Sequence, residues 1–169
     1  RLSKMVKTLL DMGGLQPMGR DETIAIDALV DEVLVDLEPL AQEKEIKLIG
    51  NCKDTTMVGS DILIYRMVYN LVENAIKYNH FGGQVTVTAY RKGKNICLSV
   101  EDTGSGIPAE LKERIFEPFF RVDKSRSRQL GGVGLGLALV REIVRVHDGR
   151  ITVQSSPSGG TIFEVVFTQ

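Results

Sequence analysis

The chain has 169 residues, of which 43% are hydrophobic and 25% charged, and this ordinary globular composition excludes a disordered, collagen-like or coiled-coil protein. A formal net charge of -1 argues against a protein whose overall charge attracts it to nucleic acid or to an anionic membrane. The two cysteines lie far apart and outside any CxxC pattern, so neither a disulfide framework nor a zinc site is indicated.

The first 20 residues read as an element outside the main domain. Leu2, Met5 and Leu9 recur at helical spacing, so residues 1–12 predict a short amphipathic helix that needs a partner to bury its apolar side. Glycines and a proline interrupt this pattern in residues 13–20, which predicts a linker. The globular domain is therefore expected to span residues 21–169.

Hydrophobic periodicity predicts interleaved helices and strands along the rest of the chain. The predicted strands cover residues 23–26, 46–52, 84–90, 95–102, 150–155 and 161–167, and the predicted helices cover 27–45, 61–79 and 134–147. Asp27 and Asp61 are expected to cap the first two helices. Because no βαβ unit repeats, we expect an α/β (α+β) two-layer sandwich with helices on one face of a mixed sheet, and residues 84–90 and 95–102 as a hairpin.

One face of the second predicted helix is polar. Spacings of three and four residues bring together Arg66, Asn70, Glu73, Asn74 and Lys77. Amide and carboxylate oxygens suit a hard cation such as Mg²⁺, and an ammonium suits phosphate oxygens. The alternative is a solvent-exposed face without a ligand, although two asparagines inside a helix cost helix propensity and so favour a functional role.

The strand predicted at residues 95–102 ends with an acidic residue on its apolar side. A carboxylate on an inward face is costly unless it accepts hydrogen bonds, and the loop that follows has small residues able to bring backbone close to a ligand. Asp102 would therefore accept from an exocyclic amine such as that of adenine, and it would repel the carbonyl of guanine. The alternative is an aspartate that caps its own turn.

A glycine-rich run at residues 131–137 leads directly into the last predicted helix, where backbone N–H groups at the N-terminus favour an anion. The run lacks the GK[ST] of a Walker A loop and the glycine spacing of a dinucleotide-binding fingerprint. Between the two glycine-rich loops, residues 115–128 hold three phenylalanines followed by basic residues. This segment predicts either a lid over phosphates or a loop anchored by its aromatic rings.

Together these segments resemble the ATP-binding catalytic domain of sensor histidine kinases, within the GHKL ATPase superfamily. The resemblance lies in five motifs in the family's order: NLVENAIKY at 70–78, DTGSGI at 102–107, FEPF at 116–119, GVGLGL at 132–137 and GGTIF at 159–163. Each motif alone is modest, whereas five in order are specific. The resemblance implies a Bergerat-type ATP-binding fold, and residues 1–12 resemble the end of the second dimerisation helix that precedes this domain in the family.

The resemblance also implies roles for individual residues. Asn74 is expected to be the principal Mg²⁺ ligand with Asn70 beside it, and Lys77 to contact phosphate; these three are the expected catalytic residues. Asp102 is expected to accept a hydrogen bond from the adenine amino group, with the Thr161 hydroxyl supporting it directly or through water. The other expected nucleotide contacts are Tyr78, Gly104, Gly106, Ile107, Arg121, Gly132, Gly134, Leu135 and Gly136.

Three positions depart from the family pattern. Val133 stands where the family often has Ser or Thr, and Asn79 and His80 replace the usual end of the first motif.

The family's phosphoacceptor histidine lies in a dimerisation helix, and neither His80 nor His147 has that context, although a cationic His147 would suit the dipole at the end of a helix. The acceptor is therefore expected on a separate segment.

The resulting prediction is a kinase domain that binds ATP and Mg²⁺ and transfers the γ-phosphoryl group to a histidine-bearing dimerisation domain, with a response regulator as a further partner and no nucleic acid. The full-length protein is expected to be a membrane-anchored homodimer, with this domain cytoplasmic and monomeric on its own. Two alternatives stay open. One is a GHKL-type serine kinase that inhibits a sigma factor, and the other is a nucleotide-sensing module without transfer activity.

Overall fold

The computed structural model describes residues 19–118, 120 and 136–169. The helices are α1 (Ile26–Glu43), α2 (Asp61–Lys77) and α3 (Gly136–Val146), and the strands are β1 (Glu22–Ala25), β2 (Lys47–Cys52), β3 (Thr56–Gly59), β4 (Gln84–Lys92), β5 (Asn95–Asp102), β6 (Gly149–Ser155) and β7 (Thr161–Thr168). Two short 3-10 turns, Ala109–Leu111 and Arg114–Phe116, follow β5. The helix predicted at 1–12, most of the linker and residues 134–135 of the last predicted helix lie outside the described residues.

Five strands form one mixed sheet in the order β2-β4-β5-β7-β6. β2 runs parallel to β4, whereas the other neighbouring pairs are antiparallel. β4 and β5 form the predicted hairpin, with Val87 opposite Val100 and with Gly93 in the turn at a φ of 61°. The prediction of an α/β fold with a mixed sheet is therefore confirmed.

The helices pack on one face of this sheet. Alternate strand residues such as Val87, Leu98 and Val165 are buried in one cluster with Leu71 of α2 and Val140 of α3. Each large apolar side chain buried in this way contributes about 1.5 to 3 kcal/mol. α2 contacts both α1 and α3 and so occupies the middle of the helical layer. Within the described part of the chain, no helix has both the length and the apolar character needed to cross a membrane.

The N-terminal caps of the first two helices differ from the prediction. Ser60 caps α2, because its hydroxyl accepts from the N–H of Leu63 at 3.4 Å, and Asp61 is the first helical residue. Asp27 lies in the first turn of α1, which Ala25 precedes without a side-chain cap. Both aspartates sit where a negative charge suits the helix dipole, but neither is the cap. The pair Ser60-Asp61 offers two adjacent capping residues, and sequence alone does not choose between them.

β1 and β3 form a separate two-stranded antiparallel sheet. β3 was not predicted, because a strand of four residues with only Met57 and Gly59 buried is too short to give a clear alternation. The segment before β3 nevertheless has a definite role. The carbonyl of Thr55 accepts from the backbone N–H of Ile26 at 2.9 Å, which satisfies a donor at the start of α1.

His147 follows α3 and joins it to the start of α2. Its Nε2 accepts from the backbone N–H of Ser60 at 3.0 Å, and its Nδ1 lies 2.8 Å from the carbonyl oxygen of Ile143. The neutral tautomer with hydrogen on Nδ1 satisfies both contacts. Burial lowers the pKa of His147, so the structure favours a neutral ring over the cation that the helix dipole alone would favour.

Acidification should weaken the fold through His147. Because its pKa in the folded chain lies below the unfolded value of about 6.5, the unfolded chain binds more protons once the pH falls below that value. The stabilisation is complete above the unfolded pKa and is lost as the pH falls from there through the folded pKa. As the pH is lowered through this range, the melting temperature should therefore fall less steeply for His147→Gln than for the wild type. Equal slopes for His147→Gln and the wild type would contradict the assignment.

Candidate nucleotide site

Asp102 ends β5 with its side chain inside the domain, as the alternation predicted, and it is 8% exposed. Its Oδ1 accepts from the backbone N–H of Gly104 at 2.8 Å and from that of Thr161 at 3.2 Å. No described residue donates a hydrogen bond to Oδ2. Burial raises the pKa of Asp102, and the two backbone donors oppose that shift. The carboxylate thus caps its own turn with one oxygen and holds the other open to a ligand donor.

The turn between β6 and β7 also contacts Asp102. The backbone N–H of Thr161 supports Asp102; among the described residues its hydroxyl makes no direct bond to Asp102, and the predicted support through water stays a prediction. A Cβ on Gly160 would lie 2.0 Å from the carbonyl oxygen of Asp102. Gly106 has a φ of 76°, and a Cβ there would lie 2.7 Å from the carbonyl oxygen of Gly159. The loop after β5 and this turn therefore meet backbone to backbone, which requires glycine on both sides.

Asn79 ties the end of α2 to the loop that follows Asp102. It is 1% exposed, its Nδ2 donates to the carbonyl of Gln84 at 3.0 Å, and its Oδ1 accepts from the N–H of His80 at 2.8 Å and from the hydroxyl of Thr103 at 3.0 Å. Thr103 in turn accepts from the N–H of Gln84 at 2.9 Å. Sequence reasoning marked Asn79 only as a departure from the family pattern, and its partners were missed because they belong to another element.

The polar face of α2 is half-buried along its C-terminal half. Asn70, Glu73, Asn74 and Lys77 are neither fully exposed nor buried, whereas Arg66 is exposed. The ammonium of Lys77 lies 3.7 Å from a carboxylate oxygen of Glu73. Among the described residues, none is hydrogen-bonded to the side chain of Asn70 or Asn74. These half-buried amide oxygens, which lack a partner in the described part of the chain and lie on one helix face with the carboxylate of Glu73, form a hard-oxygen donor set that fits Mg²⁺.

The same helix end meets the loop after β5 directly. Tyr78 is the C-terminal cap of α2, and a Cβ on Gly104 would lie 2.5 Å from its carbonyl oxygen. Gly104 therefore lets the helix end approach the loop, while the predicted approach of adenine to its backbone stays a prediction. The structure therefore brings the carboxylate of Asp102 and the last turn of the polar helix to one place.

The remaining predicted contacts are only partly within the described residues. Ile107 is half-buried and packs against the core, and Gly136 begins α3 with an exposed backbone. Phe116 is buried with its ring edge-on to that of Phe163, 6.2 Å between the ring centroids, so it anchors the start of its segment, which is compatible with both interpretations of that segment. The predicted contacts Arg121, Gly132, Gly134 and Leu135 lie outside the described residues, as do Phe119 and residues 121–128 of the predicted lid.

Residues 59–169 match the family described as histidine kinase-, DNA gyrase B- and HSP90-like ATPase. A similar curated protein is the sensor-like histidine kinase SenX3 of Mycobacterium tuberculosis, 38% identical over 167 residues, which include 96% of this chain and 41% of SenX3. The chain thus spans about two fifths of the length of this relative.

Two solved structures share the fold over nearly the whole chain. Full-length ShkA in complex with AMPPNP matches with a TM-score of 0.81 and 25% identity, covering 98% of this chain and 35% of ShkA. The histidine kinase ThkA in complex with the response regulator protein TrrA matches with a TM-score of 0.78 and 26% identity, covering 99% of this chain and 47% of ThkA. The mixed sheet and its helices are therefore an architecture that these kinases also have.

Proposed function

Since this chain belongs to the histidine kinase-, DNA gyrase B- and HSP90-like ATPase family, we propose that it binds Mg·ATP and transfers the γ-phosphoryl group to a histidine in two-component signalling. The observation that carries this proposal is the carboxylate of Asp102, which accepts from two backbone donors at Oδ1 and from no described residue at Oδ2. The AMPPNP in the ShkA structure and the kinase name of SenX3 support it. A sigma-factor-inhibiting serine kinase is not favoured, because similar relatives such as SenX3, SasA and RppB are named as sensor or sensory kinases.

In this proposal the two ends of the site have different tasks. Asp102 accepts a hydrogen bond from the adenine amine at Oδ2, and its rigid support excludes bases that present a carbonyl there. At the other end, Asn74 and Asn70 would hold Mg²⁺, and Lys77 would leave Glu73 to contact phosphate oxygens. When bound, Mg²⁺ neutralises charge on the phosphates. The protein contributes by positioning the reactants and by stabilising charge. The remaining nucleotide contacts are proposed for Tyr78, Gly104, Gly106, Ile107, Arg121, Gly132, Gly134, Leu135, Gly136 and Thr161.

The transfer step joins a neutral imidazole nitrogen to the γ-phosphorus and breaks the bond between that phosphorus and the bridging oxygen, so that ADP leaves. His147 does not fit the role of nucleophile, because both of its ring nitrogens are engaged by backbone groups of Ser60 and Ile143. We therefore propose an acceptor histidine on a separate dimerisation domain. Residues 1–12 would be the remnant of the second dimerisation helix, 13–20 the linker and 21–169 the catalytic domain.

Further partners follow by similarity to the relatives. ThkA was solved with a response regulator, and we propose that a response regulator receives the phosphoryl group after the histidine. The full-length protein would be a membrane-anchored homodimer in which this domain is cytoplasmic. The chain of 169 residues would be a monomer and would not bind nucleic acid, in keeping with its net charge of -1.

A transfer assay tests the proposed function. The chain is mixed with γ-labelled ATP, Mg²⁺ and a dimerisation segment that carries a histidine, and an acid-labile label should appear on that segment. The transfer should be slow, because no tether supplies a high effective concentration. A label that appears on this chain alone and is lost in His80→Gln would overturn the separate acceptor. Tight ATP binding with no label on either chain would instead favour the nucleotide-sensing module.

Asn74→Ala should weaken the binding of Mg·ATP more than the binding of metal-free ATP. The expected loss with Mg²⁺ is about tenfold to a hundredfold, the usual effect of removing a bond to a charged group. Calorimetric titrations with Mg²⁺ and with a chelator measure both affinities. Asn51→Ala, the same change at an exposed residue of β2, is the matched control. If Asn74→Ala responds to Mg²⁺ as the wild type does, the polar face of α2 holds no metal.

A further inference from the structure

A lysine outside the family motifs holds the end of the helix that carries the polar face. Lys44 is the C-terminal cap of α1, and its ammonium donates to the carbonyl oxygens of Ile76 at 3.2 Å, Lys77 at 2.9 Å and Asn79 at 2.9 Å. An ammonium has three N–H donors, and these contacts can engage all three. Its own carbonyl also accepts from the N–H of Gly82 at 2.8 Å, so one residue contacts the helix end and the turn beyond it.

These acceptors explain why a cation is stabilising at this point. The last carbonyl groups of a helix have no partner within the helix, and the negative end of the helix dipole favours a positive charge. Hydrogen bonds from a charged donor are about twice as strong as those between neutral groups. Lys44 is half-buried and lies far from α2 in the sequence, so it fixes the position of this helix end against α1.

The helix end that Lys44 holds is the part of α2 that meets the candidate site. Lys77 is the last helical residue, and the carbonyl of Asn74 accepts from the N–H of Tyr78 at 3.1 Å in the same turn. Asn79, whose carbonyl Lys44 binds, receives the hydroxyl of Thr103 next to Asp102. The contacts of Lys44 therefore affect both ends of the candidate site, namely the end with Asn74 and Lys77 and the end with Asp102.

We propose that Lys44 is a positioning residue for nucleotide binding, which acts by fixing the last turn of α2 relative to the loop after Asp102. This inference rests on the proposed function, because it concerns the site in which Mg·ATP would bind. Lys44 does not itself contact the nucleotide in this account. Its loss should change the placement of Asn74, Lys77 and Asn79 while the rest of the domain stays folded.

The test compares Lys44→Met with Lys47→Met, which removes the same charge from an exposed residue of β2. Hydrogen exchange follows the amides of Tyr78 and Asn79 in the last turn, and the amide of Ile64, bonded to Ser60 at the other end of α2, is the internal reference. Calorimetry well below the melting temperature measures the affinity for Mg·ATP. In Lys44→Met, the Tyr78 and Asn79 amides should exchange about tenfold faster, the Ile64 amide should be unchanged, and the affinity should fall about tenfold.

Other results of these measurements would contradict either the positioning role of Lys44 or the proposed function. Wild-type affinity in Lys44→Met would overturn the positioning role, even if the two amides exchange faster. An affinity loss accompanied by equal acceleration at Ile64 would show general destabilisation and would also overturn it. Lys44→Arg, which keeps the charge and several donors, should bind Mg·ATP more tightly than Lys44→Met, and an equal loss in both would contradict the inference. A wild-type chain that does not bind Mg·ATP would contradict the proposed function itself.

Discussion

Replacing Asp102 by asparagine should weaken ATP binding about tenfold to a hundredfold, which corresponds to about 1.5 to 3 kcal/mol for a hydrogen bond to a charged group. The backbone N–H groups of Gly104 and Thr161 both point at Oδ1 and therefore require an acceptor there. An asparagine that keeps its oxygen in this position must present its NH₂ group where Oδ2 was. A donor would then face the adenine amine, which is also a donor, so the variant loses the bond and gains a repulsion.

Calorimetry with ATP and GTP measures this effect and its specificity. The wild type should bind ATP more tightly than GTP, because the carbonyl of guanine would face the carboxylate, and Asp102→Asn should lose most of that preference. Asp54→Asn, the same change at an exposed aspartate, is the matched control and should bind as the wild type does. Equal affinity of Asp102→Asn and wild type for ATP would remove this residue from the site.

Gly160→Ala should both destabilise the domain and abolish tight ATP binding. The added methyl would lie 2.0 Å from the carbonyl oxygen of Asp102 and 2.8 Å from its Oδ1, so the backbone of one strand end must move. Overpacking of this kind costs about 1 to 3 kcal/mol or more. The displacement also separates Thr161 from Asp102, so the carboxylate loses one of the two donors that hold it.

Thermal melting and calorimetry distinguish the two effects in Gly160→Ala. The melting temperature should fall, and the affinity for ATP should fall further than for a variant of equal stability that is changed elsewhere in the core, such as Ile143→Val. Gly19→Ala is the control for the substitution itself, because a Cβ there has its nearest contact at 3.6 Å from Asp21. A Gly160→Ala chain with wild-type affinity would show that the turn before β7 does not shape the site.

The sequence predicted the parts of the site that follow from periodicity along one element. Alternation in β5 placed Asp102 on the inward face, and the helical spacing of Asn70, Asn74 and Lys77 placed them together on α2; the structure has both arrangements. The mixed sheet was predictable because helices and strands are interleaved without a repeated βαβ unit, and the alternation of residues 84–90 and 95–102 indicated the hairpin that β4 and β5 form. The roles of these residues toward a nucleotide stay predictions.

Contacts between elements distant in sequence were not predictable in this way. Lys44 donates to carbonyls more than thirty residues further along the chain, and no spacing rule connects a lysine in one helix with backbone oxygens in another. The choice between Ser60 and Asp61 as cap depends on where the chain leaves β3, which the sequence pattern does not show. The bond from the backbone N–H of Thr161 to Asp102 depends on how β7 pairs with β5, which alternation along β7 alone does not show.

The position of β7 in the sheet has a consequence for how the domain folds. β7 is the last described strand in chain order, yet it lies inside the sheet between β5 and β6. Such non-local pairing closes slowly, because a long stretch of chain must be ordered before the contacts form. During synthesis on a ribosome, Asp102 emerges well before Thr161 can donate to it, so the support of this carboxylate stays incomplete until β7 has paired with β5. We therefore expect ATP to bind, and to stabilise, only chains in which this late insertion is finished, so that the nucleotide reports on the completion of folding.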